Sequence, residues 1–222
     1  MQIVNRDWKE SAIAKAVSKW LARFKPQFTD YIDDSAPDLE DVPKTFWNEL
    51  LREGWEVIAP LLLAVLVEQA VDMSVDVGTE LTATTWTTVN ENAAQWSRTY
   101  GYDLITGIND TTRKQMQEIM ADFYENSATM DDLTKKIAEL FGPARAERIA
   151  ITETTRAAVQ GEKAYIEALE REHGLHATPF WHTAKDDYVC PDCSAKDGMM
   201  LARGDEPPLH PGCRCFIDWE VE

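Results

Sequence analysis

The sequence predicts an α+β fold, mostly α-helical, in which a helical body is followed by a small C-terminal module that contains β-strand. Three observations carry that expectation. Apolar residues recur at spacings of three and four up to about residue 172, the period of a helix with one buried face. Two short segments near the C-terminus are instead rich in aromatic and β-branched residues, and one of them alternates apolar and polar. All four cysteines, Cys190, Cys193, Cys213 and Cys215, lie between those two segments.

The elements follow in order. Asp7 to Phe24 places Ile13, Val17, Trp20, Leu21 and Phe24 on one stripe, with Trp8 at its start, and Pro26 is expected to break the helix. Residues 29–43 are acidic and punctuated by proline, as in a connecting loop. Lys44 to Val77 reads as one long helix, or as two broken near Gly54 and Pro60. Its most apolar run, Ile58 to Val67, is half the length a bilayer requires and contains Pro60, so a buried helix is expected and no membrane partner.

Thr82 to Val89 has strand propensity, but the residues that follow continue a helical register through Trp96, and helix is expected. Gly101 and Gly107 predict a loop, and Asn109 to Thr111 offer caps for a further helix to Asn126. Met130 to Asp132 begin another, ending at Phe141-Gly142, and Pro143 suits the first turn of the next, which stops at His173-Gly174. His173 and His176 are expected to serve that C-terminus. The strands are expected around residues 176–184 and 215–221, with Lys196 to Gly198 turning a hairpin between them.

Composition narrows function. The chain has 222 residues and a formal net charge of -17, with 13 Lys/Arg against 24 Asp/Glu in residues 1–141 and 9 against 15 in residues 142–222. A surface that grips phosphates as a whole needs the opposite balance. The N-terminus lacks the charged and apolar regions of a secretory signal, which predicts synthesis in a reducing cytosol.

Cys190 and Cys193 are spaced C-x-x-C, which lets two thiolates on one tight turn reach one tetrahedral ion. His210, Cys213 and Cys215 offer the rest. Five candidates compete for four seats, so the reading is a structural zinc held by four of the five, with disulfides or free thiols as the alternatives. Glu153 and Arg156, at i,i+3, are expected to form a buried ion pair tying the long helix to the terminal sheet, with Arg148 close enough to join. His182 sits beside Asp186 and Asp187 and opposite Trp181 across the strand. It reads as a surface histidine, because no nucleophile or second histidine accompanies it.

The strings E-R-I-A-I-T-E-T-T-R-A-A, F-W-H-T-A-K-D-D-Y-V-C-P-D-C and P-P-L-H-P-G-C-R-C occur in that order. Together they resemble the C-terminal domain of phage head morphogenesis proteins, the phage Mu F-like minor head proteins. The resemblance covers residues 110–219 and maps its helix motif onto Thr152, Glu153 and Arg156. Ile151 departs from it, where a basic residue is common. The implied organisation is a helical N-terminal region, 1–109, that docks on portal or capsid, and a Mu F-like domain, 110–222, with the Cys/His module at 175–222.

The implied function is a portal-associated minor head protein of a tailed bacteriophage or prophage, acting in head morphogenesis, DNA packaging or ejection, and not an enzyme. Implied partners are the portal protein, other capsid or scaffolding proteins and packaged DNA. The implied place is the virion, at the capsid interior or portal vertex, after assembly in the host cytoplasm. The alternative is a treble-clef-like metal-dependent nuclease, which would need a free histidine base beside an open metal. A carrier module for a toxin is a third reading, disfavoured by the few residues after Trp219. Residues before 142 are expected to make the portal contact, leaving 142–222 to fold as a unit.

Overall fold

The computed structural model describes residues 6–31, 39–79, 81–126, 129–202 and 204–221. Five long helices precede two short strands: α1 (Arg6–Asp30), α2 (Lys44–Val77), α3 (Ala83–Glu125), α4 (Met130–Leu140), α5 (Pro143–His173), β1 (Ala177–His182), the single-turn α6 (Pro191–Ser194) and β2 (Phe216–Val221). A 3-10 turn, Leu39–Asp41, leads into α2, and residues 32–38 of the expected connector lie outside the described residues.

Pro26 does not end α1. It costs an interior helix about 3 kcal/mol, but Phe28, in the turn beyond it, is fully buried against Phe46, Trp47 and Phe141 at ring distances of 5.9, 6.3 and 6.0 Å. Packing outweighs the lost backbone bond. Trp8 departs from its expected stripe and is 68% exposed.

α2 is one helix through Gly54 and Pro60. The glycine is there for packing: a Cβ at residue 54 would lie 2.4 Å from the Trp20 ring, whose Nε1 donates to the Leu50 carbonyl at 3.2 Å. α2 is long and apolar enough to cross a membrane by length and composition alone. Its Phe46, Leu50, Ile58, Leu62 and Leu66 nevertheless lie in the core against α1 and α5.

α3 runs unbroken through Gly101 and Gly107, so the expected loop is absent and the 109/110 division falls inside a helix. Each interior glycine costs about 1 kcal/mol, but Leu104, Ile108, Met116 and Met120 form one buried stripe across the stretch. The threonine-rich start is helical, as expected, with Thr82 capping the Thr85 N–H. A Thr129–Asp132 capping box opens α4, and Pro143 opens α5.

α5 is the axis of the molecule. Ala146, Ala150, Ala157, Ala158, Ala164 and Ala168 are all buried, and their small side chains let α1, α2 and α3 pack around it. Gly161 takes this furthest, because a Cβ there would lie 2.1 Å from the Leu66 carbonyl oxygen. Cutting the chain at 142 would strip α5 of all three partners.

β1 and β2 pair antiparallel, with Ala177 opposite Val221 and His182 opposite Phe216. Lys196 to Gly198 turn the chain back, Gly198 at φ 76°, so that residues 198–201 run along the other side of β1 through Gly198 N–H to Trp181 O (2.8 Å), Trp181 N–H to Met199 O (2.8 Å) and Leu201 N–H to Pro179 O (2.9 Å). The expected hairpin is thus formed with β1, and β2 comes from the end of the chain.

Candidate metal centre

Cys190 caps the short helix α6, its sulfur accepting the Cys193 N–H at 3.4 Å, with Pro191 at the first helical position. One turn of helix therefore sets the C-x-x-C pair on one side. The opposite side arrives on the stretch before β2, where Gly212 at φ 82° turns the chain and the Cys213 N–H donates to the His210 carbonyl at 3.1 Å.

All five sequence-predicted candidates meet. Cys190, Cys193 and His210 form one group and Cys193, Cys213 and Cys215 a second, the donor atoms of each lying within 4.8 Å of one another. His210 Nε2 is 3.3 Å from both Cys190 Sγ and Cys193 Sγ, and Cys193 Sγ is 3.8 Å from Cys213 Sγ. A tetrahedral zinc with bonds of about 2.3 Å to sulfur and 2.0 Å to nitrogen separates its ligands by about 3.8 and 3.5 Å. The donor set fits that ion. His210 Nδ1 lies 3.1 Å from the Pro211 carbonyl, and donating there leaves Nε2 free as a ligand.

Trp181, Cys193, Cys213 and Cys215 are buried together, with Val189 and Leu201 packed against them. The cavity beside these donors, lined also by Ala184, Asp186, Tyr188 and Arg214, is about 10 Å³, about enough for one water. The thiols polarise one another: a hydrogen bond from Cys215 holds Cys213 down to about 5, and donating it pushes Cys215 up. Burial pushes Cys193 up to about 12.

The tie between this centre and the body is not the one expected. Glu153 and Arg156 do pair, at 3.5 Å, but Glu153 Oε2 accepts the Tyr100 hydroxyl at 2.8 Å and the Arg156 guanidinium lies 5.0 Å over the Tyr100 ring. The pair joins α5 to α3, and burial raises the Glu153 carboxyl despite its cationic neighbour. Arg148 is exposed, and its carbonyl accepts the Thr152 hydroxyl at 2.7 Å.

The link to the Cys/His module is made by the threonines of the same motif. Thr152 Oγ1 accepts the Gly212 N–H at 2.8 Å, and Thr155 Oγ1 donates to the Cys213 carbonyl at 2.9 Å. Helix α1 closes it from the other side. Arg6 reaches the Arg214 carbonyl at 2.7 Å and also Thr155, while Glu10 pairs with Arg6 at 2.7 Å and with Arg214 at 2.6 Å. Sequence reasoning missed Arg6, Glu10, Thr155 and Arg214. Only the C-R-C string hinted at Arg214, and nothing local pointed across two hundred residues to α1.

His182 faces away from the cysteines, since successive side chains on a strand alternate and Trp181 points in. It stacks on Phe216 at 5.7 Å and lies 3.7 Å from Asp197 and 3.9 Å from Asp218. His173 ends α5, 3.8 Å from Glu172.

The chain has no significant match among curated proteins or among solved structures. Residues 111–217 match the model of the family described as Phage Mu protein F like protein. That stretch, which is similar to the family, holds all of α5, both strands up to Ile217 and all five donors.

Proposed function

We propose that this chain is a portal-associated minor head protein of a tailed bacteriophage or prophage, acting in head morphogenesis, DNA packaging or ejection, with a structural zinc in its C-terminal module. The observation that carries the reading is the similarity to the phage Mu F-like family across residues 111–217. Four of Cys190, Cys193, His210, Cys213 and Cys215 would hold the ion, which supplies cross-linking of two loops and no reaction. Closed, thiolate-rich geometry supports that role, and the protein is not an enzyme. The net charge of -17 suits docking onto other head proteins better than tracking DNA.

Cryo-electron microscopy of purified heads tests the assignment. Density for this chain is expected beside the portal, inside the capsid. Its uniform distribution over the shell, or its absence from finished heads, would sink the portal association.

A further inference from the structure

α3 and α5 line an open groove of about 1100 Å³, with α4 along one rim and residues 208–211 at one end. α3 lines it along one face from Tyr100 to Asp122, roughly 33 Å at 1.5 Å per residue, and α5 from Ala144 to Arg156, roughly 18 Å. Leu104, Ile108, Ile119, Leu140 and Ile149 make the floor apolar.

Charge is divided between the walls. Arg148 stands on α5; Asp103 and Glu118 stand on α3 and Glu139 on the α4 rim. The other charges there are already engaged within the chain. Arg145 is taken by the Leu140 and Ile108 carbonyls and Thr112, Asp122 by Lys136, and Arg156 and Glu153 by each other and by Tyr100.

Gly107 is the second observation. Gly54 and Gly161 are explained by Trp20 and the Leu66 backbone, which occupy the place of a Cβ. A Cβ at Gly107 would meet nothing within 4 Å, although this residue lies in mid-helix on the groove wall. Glycine is the poorest helix former after proline, and this chain makes no use of the close approach it permits.

We propose that the groove receives one amphipathic α-helix of a partner head protein, the portal protein being the first candidate. The helix has an apolar ridge over the floor, a carboxylate toward Arg148 and cations toward Asp103, Glu118 and Glu139, and passes closest at Gly107. The inference rests on the portal-associated reading and adds where the contact lies. Nucleic acid fits poorly, because the walls carry both signs and phosphates ask for cations alone.

The test is binding of purified cognate portal protein to the full chain, read by biolayer interferometry, for wild type, Gly107→Trp and Arg148→Glu. Gly107→Trp should weaken binding about ten-fold or more. Arg148→Glu changes only an exposed side chain, so it keeps the test valid if the tryptophan disturbs folding; it should weaken binding several-fold, more at low salt. Portal binding that both folded variants retain would overturn the groove while leaving the portal reading intact. No portal binding by wild type would remove that reading and the groove proposal with it. Duplex DNA binding lost in Arg148→Glu, or a dimer of this chain broken by Gly107→Trp, would each assign the groove to a different occupant and overturn the helix.

Discussion

The helical body and the C-terminal module reach stability by different routes. In the body, Ile13, Val17, Leu21, Phe24, Leu50, Ile58 and Leu62 are each at most 1% exposed, and burying such a side chain stabilises by about 1.5–3 kcal/mol. The module has a core of Trp181 and three cysteines with a few half-buried neighbours. Its sheet has two strands, an arrangement that is marginal in water by itself. What it has instead is a cluster of metal donors and a set of hydrogen bonds to α1 and α5. One region is held by area, which is tolerant of detail; the other by a few directional contacts, any of which is expensive to lose. The helix α5 belongs to both.

The sharpest way to break that contrast is to remove the zinc proposed for the module. Purified without chelator, the protein should carry about one zinc per chain, and structural zinc sites contribute on the order of 10 kcal/mol to folding. Chelation, or Cys193→Ser at the donor common to both groups, should unfold the module while the helical circular-dichroism signal largely persists. Cys190→Ser should act in the same direction. Metal-free protein with an unchanged melting curve would mean that the thiols pack or pair without an ion.

The body has its own breaking point. Gly161→Ala would place a Cβ 2.1 Å from the Leu66 carbonyl oxygen, and backbone cannot swing aside as a side chain can. Separating α2 from α5 should cost about 3 kcal/mol, at the upper end of overpacking effects, with zinc content unaltered below the lowered melting temperature. Loss of zinc at temperatures where the variant is still helical would show that the two regions do not fail separately.

A pH effect sharpens the comparison at the far end of α5. Glu162 is fully buried, accepts from Gln69 Nε2 at 3.0 Å and Trp219 Nε1 at 3.4 Å, and burial pushes its carboxyl up to about 8 from an ordinary 4.5. The folded state therefore holds a proton that the unfolded chain releases near 4.5. The resulting stability is full below that value and is lost as pH rises through about 8. Glu162→Gln should flatten this slope, gaining on the order of a few kcal/mol relative to wild type at alkaline pH. Urea melts across the range give the answer, and parallel curves for the two proteins would contradict it.

How far these features were legible in the sequence depended on the range of the cause. The helix start at Met130, Pro143, Gly174 and the C-x-x-C turn act within four residues, and they formed as read. Pro26, Gly101 and Gly107 were read as breaks by their local preferences, and tertiary packing of Phe28, Leu104 and Ile108 overrode them, while packing of Trp20 on Gly54 settled the open choice for α2 as one helix. The five donors were legible as a set because a metal demands residue types that little else gathers. The Glu153–Arg156 pair was legible as a pair but not in its direction, since i,i+3 spacing says nothing about which neighbour the face meets. Arg6 and Glu10 carried no signal at all: a charged first turn is what any exposed helix shows.

Coupling between the regions is tested by Thr155→Val, which keeps the shape of the side chain and removes its hydrogen bonds to the Cys213 carbonyl and Arg6. A buried hydrogen bond contributes about 1 kcal/mol, and leaving the carbonyl unpaired adds about as much again. The variant should lose about 1–2 kcal/mol and release zinc faster to a competing chelator. Unchanged release would place the link between α5 and the donors elsewhere, with Thr152 and Gly212 the next to alter.

The smallest effect is expected at His182, and it separates a structural module from a catalytic one. The imidazole lies on the outer face of β1, stacked on Phe216 and near two carboxylates, while the donors gather behind Trp181. A general base must reach the water that a metal activates, and strand alternation turns this ring the other way. His182→Ala should therefore leave zinc content intact and shift stability by no more than about 0.5–1 kcal/mol, the loss of one half-exposed stacking contact. Purified protein incubated with duplex DNA and added divalent metal should show no cleavage above background in either form. Cleavage that depends on His182 would require the ring to work on a metal other than the one these cysteines hold, and the structural assignment of the module would fall.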